Sequence, residues 1–149
     1  MSVVHVTTRI DAPPEVVFRT IMDPNRLGDW VTIHRSVSNA SDDNLREGAK
    51  MDQVLCIHGV NFKVHWTLAG VRPPHEAIWE GRGPALSKAS IQYHLSGDDG
   101  GPTTFDYVNE FHAPGGPLGN IASRVLVEHA SEREARSSLQ ALKELIERG

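Results

Sequence analysis

From Val3 to Ile10 the chain alternates: Val4, Val6 and Ile10 share one parity, and His5, Thr7 and Arg9 hold the other. A period of two over that length predicts a half-buried strand. Asp11-Ala-Pro-Pro-Glu then carries the marks of a helix start. Proline fits a first turn, where its missing N–H has no intrahelical partner to lose, and Glu15 suits the positive end of the helix dipole. Val16, Val17, Thr20 and Ile21 give this short helix an apolar side, Asp23-Pro24 ends it, and Asn25 to Trp30 predicts a second short helix.

After Trp30 the period returns to two. Ile33 and Val37 mark a strand, Val54 and Cys56 the next, then Phe62, Val64, Trp66 and Leu68. Ile78 or Trp79 marks a fourth, followed by Ile91, Tyr93 and Leu95, and by Phe105, Tyr107 and Phe111. The breaks are turn-forming: Asp42-Asp43-Asn44, His58-Gly59, Arg72-Pro73-Pro74, Gly81 to Pro84, and Gly97 to Pro102. Connections this short join antiparallel neighbours, because a parallel pair needs a crossover of a dozen or more residues.

The last segment changes period. Ala113 to Gly119 reads as a glycine- and proline-rich hinge. From Leu118, apolar residues at Ile121, Ala122, Val125, Leu126, Ala135, Leu139, Leu142, Leu145 and Ile146 follow a 3.6 spacing to Arg148. Glu132 with Arg136, and Glu144 with Arg148, are i,i+4 pairs for the wet side. At ~1.5 Å per residue this helix spans roughly 45 Å, enough to cross a sheet. The expected fold is α+β: a strand, two short helices, six antiparallel strands and a long C-terminal helix. That helix is the one element long enough to cover the sheet's apolar face.

Composition adds limits. The 149 residues are one domain's worth, so residues 1–149 are expected to form a single domain. A chain of this size buries roughly 70% of its unfolded surface and needs no metal or disulfide for stability. Net charge is −4 with the signs interspersed, against the clustered basic face that nucleic acid requires. Cys56 is the single cysteine, so no internal disulfide forms. The first residues lack a basic start and apolar core, and no run reaches the ~20 apolar residues of a membrane span. A cytoplasmic location is the expectation.

Several segments carry a family resemblance: Ile10-Asp-Ala-Pro-Pro-Glu-Val-Val-Phe, Met22-Asp-Pro through Trp30, Ala77-Ile-Trp-Glu-Gly-Arg-Gly-Pro and Thr104-Phe-Asp-Tyr-Val-Asn-Glu-Phe. Pro114-Gly-Gly-Pro-Leu-Gly precedes a helix closing in Ser138-Leu-Gln-Ala-Leu-Lys-Glu-Leu-Ile-Glu. Over essentially the whole chain these resemble the SRPBCC (START/Bet-v-like) superfamily, in its polyketide cyclase/dehydrase and lipid-transport branch. The resemblance implies a helix-grip fold with a cavity between the concave sheet and the long helix. Fold does not fix function, because this one hosts transporters, receptors and enzymes alike. By parity the implied lining is Ile33, Val54, Cys56, Val64, Trp66, Ile78, Ile91, Tyr93, Phe105, Tyr107, Asn109 and Phe111, with Ile121, Ala122 and Val125 opposite. Whether Ile78 or Trp79 turns inward stays open, since Gly81 and Gly83 can mark a bulge.

Chemistry inside such a cavity has few candidates. Asn109 shares parity with Tyr107 and Phe111, so it either orients a ligand oxygen or ties down a neighbouring loop. Tyr93 and Tyr107 are candidate donors to an enolate or ketone oxygen, although an inward tyrosine more often packs its ring. Glu80 shares parity with Ile78. Facing inward it would be a general acid or base, and facing outward a solvated strand residue. The eight histidines show no i,i+2 strand or i,i+4 helix pair for one ion, with His34, His94 and His112 on outward parity, so no metal is expected. Cys56 lacks a partner base and reads as a buried hydrophobe. No cofactor is expected.

The expected partner is a small hydrophobic molecule (a lipid, isoprenoid or polyketide-like compound), with no nucleic acid and with a homodimer left open. Binding without chemistry is the first reading. A cofactor-independent cyclase/dehydratase that folds a reactive chain in the same cavity is the second. Docking of a partner protein on the helix and the Gly81 to Pro84 loop is the third.

Overall fold

The computed structural model describes residues 2–57, 59–112 and 121–149, apart from the side chains of Ser2, Ala85 and residues 121–131. Strand β1 (Ser2–Ile10) leads into helix α1 (Pro14–Met22), a 3-10 turn at Pro24–Arg26 and helix α2 (Leu27–Trp30). Six strands follow: β2 (His34–Ser38), β3 (Lys50–Ile57), β4 (Val60–Arg72), β5 (Glu76–Arg82), β6 (Lys88–Ser96) and β7 (Thr103–His112). Helix α3 (Ile121–Arg148) closes the chain. The predicted hinge at Ala113 to Gly119 lies outside the described residues.

The seven strands form one antiparallel sheet in the order β1-β7-β6-β5-β4-β3-β2. Each strand from β2 to β7 pairs with its sequence neighbour, as the short turns require. Strand β1 returns to the free edge of β7, from Ser2 opposite Phe111 to Ile10 opposite Thr103. α1 starts on Pro14, with Glu15 in its first turn and Arg19 in its last, both favourable to the dipole. It stops at Asp23, whose carboxylate accepts from the Asn25 amide at 2.9 Å and opens the next turn.

The C-terminal half of α3 is pinned to β1. Lys143 Nζ donates to the Arg9 carbonyl at 2.6 Å, and Glu147 accepts from the Asp11 amide at 2.9 Å. Ala135, Leu139 and Leu142 of that half are buried, together with Ile10, Val17, Ile21, Leu68, Ala77 and Phe105. Thr103 is buried with them, its hydroxyl satisfied by the Ala12 carbonyl at 2.7 Å. The Arg136–Glu132 and Arg148–Glu144 pairs lie on the exposed side.

Two irregularities steer the interior. In β4 the register shifts between Leu68 and Gly70, so Ala69 and Gly70 together face Ile78. Leu68 then pairs with Trp79 and Val71 with Ala77, which sends Trp79 inward. Gly81 follows on the same face, and a Cβ there would stand 2.7 Å from the Trp66 ring. Glycine leaves that space to the indole and to Val64.

Candidate ligand-binding cavity

Above this packed floor the same sheet face stays open. A cavity of about 420 Å³ lies between the upper halves of β3–β7, the α2–β2 segment and α3. Its apolar wall includes Ile33, Leu55, Phe62, Trp79, Ile91 and Phe111. Val64 and Trp66 also face it, as their parity in β4 predicts.

Several expectations are corrected here. Val54 and Cys56 sit on the outer face, and Gln53, Leu55 and Ile57 take the inner one. Directly paired antiparallel residues share a face, and Val64 pairs with Gln53 while Val54 pairs with Lys63. β3 is apolar on both parities, so a slip of one residue reversed the assignment. Ile78 pairs with Gln92 on the outer face, and Trp79 takes its place inside. Glu80, exposed between Thr67 and Ser90, leaves the cavity with Ile78. Phe105 faces inward but belongs to the floor, fully buried edge-on against Tyr93 with ring centroids 5.5 Å apart. His34 turns inward because β2 bulges between His34 and Ser36, which sets His34 opposite Leu55. The side chains of Ile121, Ala122 and Val125 lie outside the described residues.

Besides Ser87 and Lys88 at the β5–β6 loop, polar groups in the cavity fall into two sets. On the β3–β4 side, Trp66 Nε1 donates to Gln53 Oε1 at 3.0 Å, and Gln53 Nε2 lies 2.9 Å from His34 Nδ1. Indole N–H is a donor only, so the amide nitrogen of Gln53 must donate to an unprotonated Nδ1. Burial lowers the pKa of His34, in keeping with a neutral ring. This set is internally satisfied.

The second set lies where β6 and β7 face α3. Tyr93 and Tyr107 stack with ring centroids 6.1 Å apart, and Asn109 Nδ2 donates to the Tyr107 hydroxyl at 3.2 Å. Asn109 thus stands on the cavity side. Among the described residues the Tyr107 hydroxyl donates to no partner, and the Tyr93 hydroxyl has none at all. Glu134 of α3 projects into the same space. Its carboxyl accepts a hydrogen bond from the Ser138 hydroxyl, whose oxygen accepts from the Thr32 amide at 3.1 Å. Burial pushes the Glu134 carboxyl up, partly offset by the Ser138 bond. Both phenols are raised too, first by burial and then by the Glu134 charge, so they remain protonated donors.

Glu134 escaped the pattern reading because it borders the apolar stripe one residue before Ala135. Its signal was Ser138, one turn later on the same face and able to partner it. In the same region, the Trp30 indole N–H is buried without a partner among the described residues.

The profile of the family described as polyketide cyclase / dehydrase and lipid transport matches residues 1–147. Among curated proteins, Toxin Rv0910 of Mycobacterium tuberculosis strain H37Rv is 24% identical over 132 residues, 88% of each chain. The Zhui aromatase/cyclase from Streptomyces sp. R1128 superposes with a TM-score of 0.77 at 17% identity, covering 99% of this chain and 94% of that one. A conserved protein from Geobacillus kaustophilus gives 0.77 at 17% identity, covering 99% and 96%. At that identity the solved structures speak for the shared fold. With the profile match over nearly its whole length, the chain belongs to the polyketide cyclase/dehydrase and lipid-transport family.

Proposed function

We propose that the chain binds one small, largely apolar molecule carrying an oxygen at one end. The oxygen is held by Tyr93, Tyr107, Asn109 and Glu134, and the body lies against Leu55, Phe62, Trp79, Ile91 and Phe111. One observation carries this reading: an apolar cavity of about 420 Å³ in which Tyr93, Tyr107, Asn109 and Glu134 cluster where β6 and β7 face α3, with Ser87 and Lys88 at the β5–β6 loop. That size falls in the range of ~300–1,000 Å³ typical of small-molecule sites, where a few placed polar groups set orientation. The family's description, with its cyclases and lipid carriers, supports the same ligand class.

A cyclase/dehydratase is the second reading, favoured by Glu134. A carboxyl with a raised pKa beside two protonated phenols is suited to give a proton to a leaving hydroxyl or to stabilise an enolate. Native mass spectrometry of freshly purified protein, followed by solvent extraction, tests the first reading. A co-purifying or added lipid, isoprenoid or aromatic polyketide bound one per chain supports it. A protein that takes up none of these contradicts it. Turnover lost in Glu134→Gln with binding retained would move the enzyme reading ahead.

A further inference from the structure

The loop between β5 and β6 is a five-residue connection closed by two cations. Arg82 and Lys88 are its last cross-strand pair, and Leu86 near its tip is 86% exposed. Leu86 also adopts φ +66, a left-handed conformation that is uncommon outside glycine and costly to hold. The neighbouring β3–β4 hairpin carries Val60 at its turn, 54% exposed. Both hairpins contribute to the cavity wall at the same end of the sheet, through Pro84 and Ser87 on one and Ile57 and Phe62 on the other.

Near these tips the outer face mixes signs: Asp52 lies beside His65, Glu80 and Glu110 stand one row further in, and Arg82 and Lys88 face each other at the loop itself. Asp52, His65, Arg82, Lys88 and His112 form a single row, each paired directly with the next from β3 to β7, and Arg82 and Lys88 are the two fixed cations in it. Like charges opposed across strands repel. Asp52 takes His65 at 2.6 Å, but neither Arg82 nor Lys88 forms an ion pair with a described residue. The chain is acidic overall, at −4, so the Arg82–Lys88 pair is a local cationic feature.

We propose that this end of the molecule docks on an anionic lipid surface, with Leu86 and Val60 entering the interface and Arg82 and Lys88 meeting the headgroup phosphates. Two small, separated apolar tips are too little for a specific protein interface, which needs about 800 Å² per partner. They suit a bilayer, where a modest apolar insertion and a cationic patch act together as two signals. Docking there brings the cavity wall at Ile57, Phe62, Pro84 and Ser87 up to the lipid.

Flotation with vesicles tests this, using phosphatidylcholine alone and phosphatidylcholine mixed with phosphatidylglycerol. The full chain is expected to float with the anionic vesicles at low salt, to be released by high salt, and to ignore the neutral ones. Leu86→Ser and Arg82→Glu should each weaken that partition about tenfold, given that each basic residue near such a surface adds substantially to binding. Arg148→Glu changes net charge equally at the exposed C-terminal end of α3 and should leave the partition unchanged. No flotation of the unmodified chain at low salt overturns the proposal. So does equal loss in Arg148→Glu, full retention in both rim variants, or equal capture of soluble glycerophosphate. Binding of a neutral apolar probe, measured in Leu86→Ser without vesicles, keeps this outcome separate from that of the cavity reading.

Discussion

The lower and upper halves of the sheet carry the same alternation yet enclose different interiors. Below, Leu68, Ala77, Leu95 and Phe105 meet α1 and the end of α3 with no space left between them. Above, Phe62, Ile91 and Phe111 point the same way and meet a cavity. The difference comes from what stands opposite. α1 is only nine residues long and plugs one end, and α3 is fastened to that end through Lys143 and Glu147. Inward parity therefore shows which residues leave water, while helix length and anchoring decide whether they meet protein or open volume.

Substitutions sharpen this contrast. Leu142→Ala in the floor should cost about 2–5 kcal/mol in urea unfolding, because the closely packed site cannot collapse around the lost atoms. Ile91→Ala in the cavity wall should cost well under half of that, since its side chain already faces unfilled space. Equal losses at the two positions would erase the distinction between the halves.

Gly81→Ala tests the boundary. The added methyl meets the Trp66 ring and Val64 at under 3 Å, so a loss of about 1–3 kcal/mol and a shifted tryptophan emission are expected. An unchanged unfolding midpoint would mean that the indole has room to retreat.

Glu134 gives a pH dependence of defined sign. Its folded pKa is raised above 4.5, so the unfolded chain releases this proton first. Stability from this group is therefore complete below about pH 4.5 and falls as pH rises toward the folded pKa. Glu134→Gln should flatten that decline, matching the unmodified protein in acid and exceeding it at neutral pH in thermal unfolding. A steeper decline in the variant would contradict a carboxyl whose pKa is raised by burial.

Smallest in stability are Tyr93→Phe and Asn109→Ala. Each should weaken ligand binding roughly three- to tenfold, the worth of about one hydrogen bond, with little change in melting temperature. Unchanged affinity in both would remove the polar end of the site.

The sequence pattern carried the element order and the inward faces of β4, β6 and β7, because those strands keep apolar and polar parities apart. It failed at β3, where the inner face holds the polar Gln53 and the outer face the apolar Val54 and Cys56. That inner polarity makes sense only once Trp66 and His34 are known to satisfy Gln53. It failed at β5 for another reason: the bulge that sets Trp79 inward lies in β4, at Ala69–Gly70. Glu134 was missed because an acid bordering a helix stripe looks the same in sequence whether it faces a cavity or bulk water.

The most direct test is a fluorescence titration with a neutral naphthylamine probe, comparing the unmodified chain with Ile91→Trp. A larger ring at position 91 occupies the open volume while leaving the floor intact. One probe per unmodified chain, with binding abolished in a variant of undiminished melting temperature, is the predicted result. Equal probe binding in Ile91→Trp, or none by the unmodified chain, would contradict an internal site for an apolar ligand.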